Sequence, residues 1–71
     1  MKNKLSWGIH RGTIMSRDVG DPKPCHSLDE AKKMAIVIDE ESRQTGYMLW
    51  FASWYDENGK THEAHPGNSY S

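Results

Sequence analysis

With 71 residues, a net charge of −1 and a single cysteine, Cys25, the chain has material for one small domain with a thin core, since a domain of this size removes only about 60% of its unfolded surface from water. One cysteine leaves no internal disulfide framework, and near-neutral charge gives no global field to attract nucleic acid or acidic lipid. Met1 to Leu5 carries two lysines without a following apolar run, so neither a signal peptide nor a membrane span is expected, and the lone thiol points to a reducing, cytoplasmic setting.

Charge is unevenly spread. Residues 1–24 hold five basic and two acidic groups, residues 25–71 four basic and eight acidic, which reads as a solvated surface or as a weak basic patch around the first strand.

From Leu5 to Met15 apolar residues alternate, with Leu5, Trp7 and Ile9 on one side and Ser6, Gly8 and His10 on the other, the period of a strand. Gly12 interrupts the run, as a bulge or as a turn at Arg11-Gly12 that splits it in two. Asp18 to Pro24 contains two prolines and a glycine and reads as a loop.

Ser27-Leu28-Asp29-Glu30 has capping-box spacing: the Ser27 hydroxyl accepts from the Glu30 amide and the Glu30 carboxylate reaches back to the Ser27 N–H. A helix therefore starts here. Leu28, Ala31, Met34, Ala35 and Ile38 form its apolar stripe, Asp29/Lys33 and Asp39/Arg43 stand at i,i+4 spacing on the solvent side, and Thr45-Gly46 ends it. Ile36 and Val37 fall off the stripe and extend a second apolar area.

Tyr47 to Tyr55 is nine residues of high strand propensity without a charge. Asp56 to Lys60 fits a hairpin, through a two-residue Asn-Gly turn or a type I turn closing on a Gly59 bulge. Lys60 to Ala64 then returns as a polar edge strand. The expected fold is one α+β domain over 1–65, strand-helix-strand-strand, with the helix packed on a three-stranded, largely antiparallel sheet and the most apolar strand central; 66–71 is expected to be a flexible tail. The Ser27 to Ala31 segment is too generic to identify a family.

Candidate chemistry is sparse. Cys25-His26 and His62-x-x-His65 have residue types that suit zinc, but adjacent ligands are awkward for one ion, and alternation in a strand would send His62 and His65 to opposite faces. Cys25 ahead of a helix N-terminus would be placed for thiolate stabilisation, yet the short chain offers little volume for a substrate cleft. It reads better as a packing thiol of ordinary pKa. No enzyme, metal site or cofactor is expected.

The aromatic strand is the more informative feature. Both of its faces are apolar, and one helix covers only one. Met48, Trp50, Ala52 and Trp54 are assigned to the core because that face lacks a hydroxyl; Tyr47, Leu49, Phe51 and Tyr55 are assigned to an outer, partner-binding face. A one-residue slip would invert the assignment. The leading expectation is a small protein-binding module of the regulator or inhibitor type that docks a protein partner or its own copy there. Single-stranded nucleic-acid binding, with Tyr47, Phe51 and Tyr55 stacking bases and Arg11, Arg17 and Lys23 meeting phosphates, is the alternative, disfavoured by net charge and by the absence of an RNP-type motif. A thiol or metal enzyme built on Cys25 comes third.

Overall fold

The computed structural model describes residues 1–11 and 13–66, with the side chains of 13–16 excepted. Its elements are β1 (Lys4–Arg11), β2 (Thr13–Val19), β3 (Lys23–Pro24), α1 (Leu28–Arg43), β4 (Met48–Tyr55) and β5 (Thr61–Glu63). The strands form one antiparallel sheet in the order β2-β1-β4-β5, with β3 also paired to β1. The fold is thus the expected α+β arrangement, but the sheet has five strands rather than three. The two additions both come from the segment between β1 and the helix. Arg11 pairs with Thr13 and Gly8 with Val19, so the first apolar run is two strands folded back on each other; residue 12, where bulge or turn was left open, lies outside the described residues. Within the expected loop, Lys23-Pro24 pairs with Leu5 and Lys4, at the sheet margin where a proline's missing N–H is tolerated.

The helix forms where the cap predicts. Ser27 is extended (φ −150°, ψ 157°) and its Oγ accepts from the Glu30 N–H at 3.1 Å. Glu30 Oε1 reaches one residue further back than expected and accepts from the His26 N–H at 3.0 Å. At the other end Tyr47 N–H donates to the Ser42 carbonyl and Gly46 N–H to that of Arg43, a Schellman closure around Gly46, whose φ of 85° suits a residue without a Cβ.

Ala31, Ala35, Ile38 and Ser42 are the buried residues of α1, with Leu28 and Met34 half-buried beside them. Small residues let the helix approach the sheet closely. It meets Leu5, Leu49 and Ala52, all nearly inaccessible, with Trp7, Ile9 and Trp54 packed around them. Cys25 and Ala64 close the ends of this core. The segment after β2 holds Trp7: the indole Nε1–H donates to the Asp21 carbonyl at 3.0 Å, and the neighbouring Gly20 lies so close that any Cβ there would run into the ring.

β4 lies between β1 and β5, as its two apolar faces require. The β4–β5 hairpin closes through a type I turn and a bulge at Gly59 (φ 81°), with Gly59 N–H on the Asp56 carbonyl and Asp56 N–H on that of Lys60. The tail expected over 66–71 lies, apart from Pro66, outside the described residues. Among the described residues, no helix is long and apolar enough to cross a membrane.

Candidate functional site

A bulge in β4 decides which aromatic side chains reach the surface. Gly8 pairs with Phe51 but Ile9 pairs with Leu49, so Trp50 is an extra residue on β4 and the alternation shifts across it. C-terminal to the bulge, Ala52 and Trp54 face the helix as expected. N-terminal to it, Leu49 turns inward and is 2% exposed, while Trp50 turns outward and is 37% exposed. This corrects three assignments: Leu49 belongs to the core and not to a partner-binding face, and Trp50 and Met48, the latter paired with His10 beyond the bulge, belong to the outer face and not to the core.

Two features far apart in sequence hold the bulge. Leu49 N–H, which has no strand partner on the β5 side because β5 reaches only Ser53 to Tyr55, donates to Asp39 Oδ1 at 2.9 Å. The other oxygen, Asp39 Oδ2, accepts from Arg43 Nε at 3.1 Å, so the i,i+4 pair on the helix also anchors the strand. On the neighbouring strand, Gly8 makes room. A Cβ there would lie 2.5 Å from Phe51 Cε1, which forces that ring to move, and 3.1 Å from Trp50 Cε3, a tight contact. A glycine covered by a cross-strand aromatic ring thus lets both side chains lie over β1.

The outer face follows from the register. Lys4, Tyr55 and Thr61 form one row, Ser6, Ser53 and Glu63 the next, then Val19, Gly8 and Phe51, then Arg17, His10 and Met48. The helix packs on the opposite face, and among the described residues no other element lies over this one. At its centre Trp50 and Phe51 meet edge to face, ring centroids 5.2 Å apart at 86°. The Arg17 guanidinium stands over the Trp50 ring with Cζ 4.4 Å from the centroid, a cation–π contact. Val19 is 67% exposed beside them. The face therefore has an apolar aromatic centre, cations (Lys4, Arg17) on the β1–β2 side and one carboxylate, Glu63, at the β5 edge.

The four residues assigned to this face from sequence are not all brought together. Phe51 and Tyr55 are on it. Tyr47 precedes β4 at the helix-to-strand corner, lining a shallow depression with Arg43, Gly46 and Met48; Leu49 is buried. Trp50 and Val19 were missed, and Arg17, expected only as a phosphate contact, stands over the Trp50 ring. Gly8 inside a strand was the available signal for a close approach on that face.

At the opposite end, a polar hollow of about 310 Å³ is lined by Asn3, His26, Trp54, Asp56, Glu57 and Asn58. Asp56 organises it. Its Oδ1 accepts from the Asn58 and Lys60 N–H groups at 2.8 and 3.0 Å, and its Oδ2 lies 2.8 Å from His62 Nε2. The His62 hydrogen bond, then the Lys60 amide, hold the Asp56 carboxyl below its ordinary pKa, against partial desolvation. His62 stacks on Trp54 at 5.1 Å, and Trp54 Nε1–H donates to the Cys25 carbonyl at 2.9 Å. These are the bonds of a hairpin tied to a helix N-terminus. Cys25 itself is inaccessible, donates from Sγ to the Ser27 carbonyl at 3.2 Å, and is pushed up from its ordinary pKa by burial, with Glu30 adding to the rise. A raised pKa and zero exposure are the reverse of what a nucleophilic thiol needs. His62 and His65 take separate partners, Asp56 and the Leu49 carbonyl, and no group of three or more His, Cys, Asp or Glu among the described residues is placed to hold a metal ion.

Comparison with protein-family models, with curated proteins and with solved structures finds no match for this chain.

Proposed function

We propose that this chain is a small protein-binding module, acting by recognition and not by catalysis, that docks a protein partner on the open sheet face around Trp50 and Phe51. The observation that carries this reading is the bulge, which places a tryptophan and a phenylalanine outward on the face opposite the helix, where no other element lies among the described residues. Interface energy concentrates in tryptophan, tyrosine and arginine anchors surrounded by weaker contacts. Here Trp50, Tyr55 and Arg17 share one face with Phe51 and Val19. A partner with an apolar centre and carboxylates toward the Lys4 and Arg17 side complements it, the arrangement by which small regulators and inhibitors attach to larger assemblies. A buried lone thiol fits a reducing compartment, and the cytoplasm is the setting proposed.

Single-stranded nucleic acid is the less favoured occupant. Base stacking would have to compete with Arg17 for the Trp50 ring, and Lys4 and Arg17 make a short cationic edge instead of a groove that tracks a backbone.

The test is affinity capture from an extract of the source cells with the wild-type chain, Trp50→Ala and Arg17→Glu in parallel, followed by calorimetric titration of the captured protein. Trp50→Ala should keep its circular dichroism spectrum and lose at least about tenfold in affinity. A partner retained equally by both variants overturns the reading. Salt-dependent quenching of tryptophan fluorescence by oligothymidylate, lost in Trp50→Ala, would replace it with nucleic-acid binding.

A further inference from the structure

The helix carries a second apolar surface that the sheet-face reading does not use. Val37 is 49% exposed and lies with Met34 and Ile38 along a groove of about 360 Å³ whose remaining walls are Lys33, Glu41 and Lys23. The groove continues toward Trp7 and Ile9, past Ile38, Lys23 and Glu41 again. It exists because α1 sits mainly over β4, leaving the helix-side flank of β1 only partly covered.

The charges around Val37 are arranged antisymmetrically. Lys33 stands one turn before it and Glu41 one turn after, on the same stripe of the helix. Neither takes part in an ion pair among the described residues, where the carboxylates that do are Asp39 and Asp56. A two-fold interface brings residue i onto residue j and j onto i. Two copies of α1 laid antiparallel with Val37 on the axis therefore set Lys33 of each against Glu41 of the other, and Glu30 of each near Gln44 of the other. Parallel alignment would instead face lysine with lysine and glutamate with glutamate.

We propose that the occupant of this groove is a second copy of the chain, joined through an antiparallel α1–α1 contact centred on Val37. Sixteen helical residues span roughly 24 Å, so the contact falls short of the ~1,200 Å² of a standard stable interface. The dimer is correspondingly weak and reversible. It leaves both sheet faces free, and a divalent partner would gain from the doubled site through effective concentration.

Sedimentation equilibrium of the chain from roughly 10 μM to 1 mM tests this directly. The average mass should rise from 8.1 kDa toward twice that value. Val37→Glu should abolish the rise while keeping the monomer's circular dichroism and thermal midpoint. Lys33→Glu and Glu41→Lys should each weaken association by about tenfold, and the two together should restore it, because the swap regenerates both cross pairs. Trp50→Ala should leave the mass curve unchanged. A wild-type chain that stays at its monomer mass to about 1 mM overturns the proposal. So does a double variant that associates no better than the single ones, or a mass rise lost in Trp50→Ala but kept in Val37→Glu, which would place self-association on the sheet face.

Discussion

Gly8→Ala probes the packing that turns Trp50 outward, and its sign is set by a neighbour. The glycine has no left-handed backbone angle, so alanine meets no conformational penalty and gains about 0.4–1 kcal/mol by restricting the unfolded chain. Against this, the added methyl would sit 2.5 Å from Phe51 Cε1 and 3.0 Å from Cδ1. The ring is packed against Trp50 and must move as a body, an overpacking cost of about 1–3 kcal/mol. The net expectation is a loss of about 1–2 kcal/mol. In a Phe51→Ala background both close ring contacts vanish and only Trp50 Cε3 at 3.1 Å remains, a tightness relieved by a few tenths of an ångström. There Gly8→Ala should be neutral or stabilising by up to about 0.5 kcal/mol. Urea unfolding of the four proteins followed by far-ultraviolet circular dichroism gives the coupling directly as a double-mutant cycle. If Gly8→Ala costs the same with and without Phe51, the ring does not lie over β1 and the geometry of the open face is wrong.

The bulge makes a paired prediction: Leu49→Ala should cost about 2–4 kcal/mol, close to the roughly 3–5 kcal/mol available to a domain of this size, and largely unfold it, whereas Trp50→Ala should leave a cooperative thermal transition; the opposite result restores strict alternation through β4. Ser27→Ala should cost about 1 kcal/mol and lower the melting temperature by about 4–8 °C, and an unchanged midpoint would move the helix start elsewhere. For Asp56 the folded-state pKa is depressed, so its contribution is present above the unfolded carboxyl value and is lost as pH falls through the lower folded one. Asp56→Asn should therefore melt below wild type at neutral pH, with the gap closing below about pH 4; a gap constant from pH 7 to 2.5 would show that the charge contributes nothing.

What the sequence made legible was local. The Ser27 cap, the Gly46 closure, the Gly59 hairpin and the stripe through Ala31, Ala35 and Ile38 each rest on residues within a few positions of one another, and each stands where its pattern puts it. The central place of β4 followed from its lack of a polar face. That same lack hid its register. Alternation identifies a buried face only when the other face is polar, and from Tyr47 to Trp54 the one polar side chain is Ser53. Nothing in the segment itself penalises a shift of one residue.

The information that sets the register is held elsewhere in the chain. Asp39, on the helix, supplies an acceptor for Leu49 N–H where β5 is too short to do so, and an unpaired amide at that half-buried place would cost about 1–3 kcal/mol. Gly8, on β1, removes the one Cβ that would collide with Phe51. The two act on opposite sides of Trp50: one fixes the inward turn of Leu49, the other clears the surface on which the indole lies. A functional surface specified in this way is sensitive to residues it does not contain. Asp39→Ala would take no atom from the open face, yet it frees the strand to slip toward strict alternation, which would draw Trp50 toward the helix and leave Leu49 outside. Loss of a captured partner in Asp39→Ala, with the helix content intact and Trp50 emission shifted to shorter wavelength, would show that the helix-to-strand hydrogen bond positions the recognition surface. Partner binding and emission unchanged from wild type would show that Gly8 and the cross-strand packing hold the bulge unaided.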